Sequence, residues 1–433
     1  MHTMTMTSSA HNTSVTAVPP AWTFSRGVGP NILLAWEHGR NLGHLARLSA
    51  IARLVQAQGA QPVWAVPPAF IQHEQLTHLP HPRCAAPMMR LNTPPPSTRI
   101  DSFADILLSF GFADARVLGQ SVQAWMKLFE TVQADSVVLD YAPAAQLAAQ
   151  LLGLPAFQIT NGFDAPPPDC PIFGITARGP YLERLNAQKL TQISAALTRV
   201  GQDVMGRPGP TLDAYFNYPT KVYDCIPQTD PYGPRTDGLY VGPLAALPQT
   251  QTASWSDLAC HQQQGPHLFA YLRGIPNATD WLDALDHTQV RTLCVWPDAP
   301  DESMMRYANS HLRIVRHPVD MNQALMQADA VLNYGATTMI HTLLAGKPQL
   351  MLPPDLEKML VARKVAQHGA GLTWRKGGSS CADALQQLLN NRTLTQAAQA
   401  IASQFPYEQR LKKQHLFVQA LVGKSQLKKE DVS

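Results

Sequence analysis

No two of the six cysteines, at positions 84, 170, 225, 260, 294 and 381, stand in C-x-x-C spacing. That argues against a zinc site or a disulfide framework and for unpaired thiols in a reducing compartment. No apolar run approaches the roughly 18 residues needed to cross a bilayer. The stretch from Met1 to Pro30 also lacks the charged start and continuous apolar segment of a secretory signal. The expectation is a cytoplasmic chain with a flexible tail over residues 1–28, with peripheral membrane contact left open. Charge is sparse too. Charged residues make up 15% of the chain, the net charge is +3, and Lys and Arg are scattered rather than gathered in a stripe, which argues against a nucleic-acid partner. After the first apolar run the loop reads Glu37-His38-Gly39-Arg40-Asn41-Leu42-Gly43, without the G-x-G-x-x-G of a dinucleotide-binding dehydrogenase. No D-x-D motif stands in a supporting context and no His cluster has metal-ligand spacing, so neither metal nor cofactor is expected.

What the chain does contain is apolar material, 45% of 433 residues, enough for two large cores. Asn31 to Trp36 reads as a strand, and the segment carrying Leu45, Leu48, Ile51, Ala52 and Val55 as an amphipathic helix closed by Gly59. Pro62 to Val66 returns as a second strand, which makes a βαβ unit. The pattern recurs at Ser136 to Leu139, a helix over Ala144 to Leu152, and Ala156 to Ile159. Pro80 to Pro96 is expected to be a surface loop, and 161–219 an insertion with a helix near Leu182 to Val200. A second series of strands is expected at 267–272, 290–295, 312–315, 330–333 and 349–352, and an amphipathic helix at Tyr407 to Val422. The fold class is α/β, two doubly wound Rossmann-like domains facing a cleft. The expected bounds are 29–245 for the first domain, 246–266 for a polar, turn-rich linker, 267–406 for the second domain and 407–433 for a terminal helix and tail. Ligands of such sheets sit at the carboxyl ends of the strands.

The segment Ala330 to Gly371, AVLNYGATTMIHTLLAGKPQLMLPPDLEKMLVARKVAQHGAG, resembles the donor-binding signature of UDP-glycosyltransferases and related GT-B enzymes. That pattern runs H-G-G-x-x-T-x-x-E-x-L-x-x-G-x-P, and Gly335, Thr338, Leu343, Gly346 and Pro348 fall on it. The resemblance extends to Val241-Gly242-Pro243, to Gly43-His44 and to Asp140, and so covers most of the chain. Departures are equally specific: Asn333 replaces the His that contacts diphosphate, Tyr334 the following Gly, His341 the Glu that binds ribose, and Lys358 the Gln after the acid. An Asn amide and a His ring both keep hydrogen-bond donors.

The residues themselves read as a strand ending at Asn333, a turn at Gly335, and a helix opened by Thr337 and Thr338 whose positive end suits a diphosphate. The same geometry also describes an ordinary capped helix. The resemblance implies a nucleotide-sugar donor, UDP- or dTDP-linked and bound as substrate. By the same token Glu357 would hold sugar hydroxyls, Lys358 would lie beside sugar or phosphate, Arg273 in a donor-contacting loop, and His317 near the base. It further implies His44 as the base that takes the acceptor proton, with Asp140 as its carboxylate partner. Glu37 and His38 compete for that role. The expected activity is an inverting, metal-independent sugar transfer to an unidentified acceptor, a lipid or a small molecule. A nucleotide-sugar epimerase or hydrolase, and a GT-B-like binding subunit without turnover, are the alternatives.

Overall fold

The computed structural model describes residues 28–39, 42–89, 99–174, 179–245, 265–275, 277–288, 290–308 and 311–423. The expected tail before Val28, most of the 246–266 linker, Cys260, the end of the Pro-rich segment and the last ten residues lie outside these.

Among the described residues the first sheet contains β1 (Asn31–Trp36), β2 (Gln61–Val66), β3 (Arg83–Ala85), β4 (Ser136–Asp140), β5 (Ala156–Thr160), β6 (Thr220–Tyr223) and β7 (Gly238–Tyr240). The second contains β8 (His267–Tyr271), β9 (Arg291–Val295), β10 (Leu312–Val315), β11 (Ala330–Asn333), β12 (Gln349–Met351) and β13 (Gly371–Thr373). Every described pairing is parallel, in the orders β3-β2-β1-β4-β5-β6-β7 and β10-β9-β8-β11-β12-β13. In each sheet the chain runs outward through three strands and then returns to the far side of the first, so each sheet has a crevice at the carboxyl ends, between β1 and β4 and between β8 and β11. These are the two Rossmann-like halves expected from the sequence.

β1 is buried along its whole length because helices cover both faces of a parallel sheet, which is why its sequence does not alternate. One face of the first sheet meets helices Phe103–Ser109, Ala115–Thr131, Pro143–Leu152 and Pro180–Met205. The other face meets helix Leu42–Ala57. The terminal helix Tyr407–Leu421 crosses back to that face and buries Phe417, Val418 and Leu421 in the first core. Ser136 Oγ on β4 donates to the Leu421 carbonyl at 3.1 Å, which ties the end of that helix to the first sheet.

Two expectations need correction. The Pro80 to Pro96 loop contains the short edge strand β3, whose Cys84 is buried against β2. β6 and β7 follow the 161–219 segment and β13 closes the second sheet, although none of the three was expected; at four, three and three residues they are too short to show a period.

The carboxyl ends of the two sheets approach one another. Leu360, on helix Leu356–Gln367 after β12, packs into the first core, and Ile226, just beyond β6, packs into the second. Lys364 Nζ donates to the Gly233 carbonyl at 2.9 Å and Arg363 Nη1 to the Gly174 carbonyl at 3.1 Å.

Candidate active site

Parallel register brings Trp36 at the end of β1 opposite Asp140 at the end of β4. Helix Leu42–Ala57 follows and places His44 in its first turn. His44 Nδ1 lies 2.8 Å from Asp140 Oδ1, and the indole of Trp36 stacks on the imidazole, centroids 5.0 Å apart. The two residues assigned as base and partner are therefore joined. A proton on Nδ1 given to the carboxylate leaves the Nε2 lone pair free to accept. Gly39 lies beside Nε2 with φ +96, and a Cβ there would come within 2.4 Å of that nitrogen. Only glycine leaves the ring its place.

Asp140 is fully buried, and burial alone would push its carboxyl up. Arg47, and after it His44, overcome this and hold it below the ordinary carboxylate range. Arg47 stands one turn after His44. Its Nη1 donates to Asp140 Oδ1 at 2.9 Å and its Nε to Asp224 Oδ2 at 2.7 Å. Asp224, just past β6, in turn accepts the backbone N–H of Leu244 at 2.5 Å.

The competing bases are placed otherwise. Both carboxylate oxygens of Glu37 accept backbone N–H groups at the start of helix Pro143–Leu152, from Ala144 at 3.0 Å and Ala145 at 3.1 Å. Ala142 at that N-cap has no side-chain acceptor, so Glu37 supplies the missing cap from another element. Burial pushes Glu37 up to about 8. His38 stacks flat on Phe110 with centroids 3.6 Å apart, and burial lowers it to about 4.

The ends of β4 and β5 add groups that the sequence did not single out. Thr160 donates its hydroxyl to Asp164, whose Oδ2 is buried with no partner among the described residues. Burial raises Asp164 to about 6. Asn161 Nδ2 donates to Glu357 Oε1 at 2.6 Å, and this bond crosses from the first half to the second. Tyr141, with φ +51, lies beside His44 at 6.4 Å between ring centroids. Polar residues immediately after β4, β5 and β6 were the available signal for these positions, but β6 itself was not foreseen.

On the donor side the helix is Ala336–Leu344, and Gly335 rather than a threonine stands at its N-cap, with no side-chain cap. Thr337 is half-buried and Thr338 buried, its Oγ1 turned back toward Gly335. Three expected contacts are placed differently. Asn333 is fully buried and one N–H of its amide donates to Gln349 Oε1 at 2.8 Å, which ties its side chain across β11 and β12. His341 hydrogen-bonds the backbone of Ala245, and burial followed by the Arg410 charge lowers it to about 4. Its ring thus meets the junction of the halves. Lys358 pairs with Asp355, the N-cap of its own helix, which answers the charge expected to face sugar or phosphate.

Arg273, after β8, is half exposed with Asp298 3.9 Å away, and His317 is exposed beyond the edge strand β10. At the crevice itself Tyr271 and Tyr334 face each other, ring centroids 5.3 Å apart, from the ends of β8 and β11. Tyr334, noted in the sequence only as a departure, is thus a wall of the crevice between β8 and β11. Among the described residues no group of three or more His, Cys, Asp or Glu could hold a metal ion. No described helix is long and apolar enough to cross a membrane.

Residues 281–408 match the family described as the erythromycin biosynthesis protein CIII-like C-terminal domain. Among solved structures the chain is similar to the calicheamicin glycosyltransferase CalG4, at 16% identity over 93% of this chain and 100% of that one, TM-score 0.64. It is also similar to glycosyltransferase VinC in complex with dTDP, at 14% identity over 91% and 100%, TM-score 0.58. The spinosyn rhamnosyltransferase SpnG complexed with thymidine diphosphate shares 17% identity over 86% and 95%, TM-score 0.55. No curated protein matches the chain in sequence. The likeness to these structures spans both halves and shows the fold, which is GT-B.

Proposed function

We propose that this GT-B chain is a glycosyltransferase that moves a sugar from a nucleoside-diphosphate donor to an acceptor hydroxyl, with inversion and without a metal. The observation that carries the reading is the His44 to Asp140 contact of 2.8 Å at the carboxyl end of the first sheet, on the side where Asn161 meets Glu357 of the second half. His44 Nε2 takes the acceptor proton as the hydroxyl oxygen bonds to the anomeric carbon. The bond from that carbon to the diphosphate breaks, and its electron pair leaves with the diphosphate. Asp140 holds the ring and answers the imidazolium charge. The backbone N–H groups opening helix Ala336–Leu344, behind a glycine cap, face the departing charge. Glu357 is the acid for donor sugar hydroxyls, and Arg273 and His317 line the outer part of the same edge. The thymidine diphosphate held by VinC and SpnG makes dTDP-sugars the first donors to try, beside UDP-sugars.

A reading without turnover is favoured by the commitment of Asn333 to Gln349 and of His341 to Ala245. One experiment separates the readings: the purified chain is given UDP- and dTDP-sugars with a panel of hydroxylated acceptors, following thermal stabilisation and nucleotide release. Acceptor-dependent release of nucleoside diphosphate is expected. Stabilisation without release would establish the binding subunit, release without acceptor a hydrolase, and neither effect with any donor would sink the donor site.

A further inference from the structure

Resting on the His44 base reading, we propose that Arg47 is a positioning residue of the dyad, fixing the Asp140 oxygen that His44 uses and keeping His44 from being trapped as the counter-ion of a buried carboxylate. Three contacts converge on this point. His44 Nδ1 and Arg47 Nη1 reach the same oxygen, Asp140 Oδ1, at 2.8 and 2.9 Å, and Arg47 Nε reaches Asp224 Oδ2 at 2.7 Å. The spacing of three residues puts His44 and Arg47 on one face of one helix, and the planar guanidinium spans two carboxylates that belong to β4 and to the turn after β6.

Charge counting gives the fork its purpose. Asp140 and Asp224 are both buried, and among the described residues Arg47 and His44 are the basic side chains in contact with Asp140, while Arg47 alone contacts Asp224. Asp164 after β5 and Glu357 from the second half also act on Arg47, so one guanidinium faces four carboxylates. The uncharged neighbours are Trp36, stacked on the imidazole, and Tyr141 beside it. If the guanidinium is removed, the nearest group able to answer Asp140 is a protonated His44, and a protonated His44 cannot accept the acceptor's proton. With Arg47 present the carboxylate is already answered by a permanent charge, so His44 Nδ1 is held by it without having to supply the counter-charge. A lysine would supply charge but not the fork, because its single ammonium cannot reproduce the planar pair of contacts to Asp140 and Asp224.

The test follows the His44 ring by 15N-histidine NMR against pH in the substrate-free protein, with His44→Asn used to assign its signal. Arg47→Met is expected to move the midpoint of that titration upward by about one pH unit or more. Because Arg47→Met leaves two buried carboxylates, the double variant Arg47→Met/Asp224→Asn, which removes one of them, is measured beside it and is expected to show the same upward move. Arg47→Lys is expected to leave the midpoint near that of the native protein, while the turnover rate falls about tenfold or more through lost orientation. An unchanged midpoint in the double variant would overturn the proposal. So would full turnover by Arg47→Lys. The titration needs neither donor nor acceptor, so absence of sugar transfer with every substrate would defeat the glycosyltransferase reading and leave this result to stand or fall separately.

Discussion

Asn161, just past the end of β5, donates its side-chain amide to Glu357 at 2.6 Å, and so a residue of the first half holds the acid proposed to read the donor sugar in the second. Glu357 is held in place before any sugar arrives. Hydrogen bonds to a charged group contribute about 1.5–3 kcal/mol. Asn161→Ala and Glu357→Gln should therefore each raise the donor KM by about tenfold or more, while calorimetric affinity for free nucleoside diphosphate stays nearly constant. Equal loss of both affinities would contradict the sugar-contact role.

His44→Ala removes the proposed base but none of the groups proposed to face the diphosphate. Turnover should fall by about 10²–10⁴, and thermal stabilisation by nucleotide should persist. Full turnover in the variant would remove His44 from the mechanism.

Gly39→Ala is a sharper probe of the same ring. The substitution places a methyl 2.4 Å from His44 Nε2 at a backbone φ of +96, so the ring or the loop must shift. Activity should drop at least tenfold, with the stability cost of alanine at positive φ, about 1 kcal/mol or somewhat more. Initial rates and thermal unfolding report the two effects. An alanine variant with native kinetics would show that the loop relaxes without moving the base.

Stability should respond to pH through Glu37. Burial raises its carboxyl from 4.5 to about 8, so the folded protein binds this proton more tightly than the unfolded chain. The stability linked to the protonated form is complete below pH 4.5 and is lost as pH rises through about 8. The full span is at most about 5 kcal/mol. Glu37→Gln has no proton to lose, so urea unfolding at pH 5.5 and 9 should show the variant gaining on the native protein as pH rises. Parallel curves for the two proteins would rule out Glu37 as the source. His38 and His341 are common to both and cancel in the comparison.

Much of the candidate site was legible because it lies at the ends of long, strongly apolar strands. His44 follows β1 and Asp140 closes β4, and parallel neighbours in one sheet bring such ends together. Asp224 was not legible. It follows a four-residue strand, Thr220–Tyr223, in which Lys221 is buried and the residues show no period. Glu37 illustrates the opposite problem: a carboxylate in the right loop looks like a base until its oxygens are seen capping a helix more than a hundred residues away.

By itself the sequence determined the two parallel sheets and the glycine turn into helix Ala336–Leu344, because apolar runs, helix periodicity and strand ends are local properties of the chain; His44 and Asp140 were named through the family resemblance, and the fold brings them together. Tertiary structure alone decided that Asn333 and His341 are engaged by Gln349 and Ala245, and that Arg47 bridges Asp140 and Asp224. The reason is physical: a buried polar group must find a partner, and which partner lies within 3 Å is set by packing between elements distant in sequence.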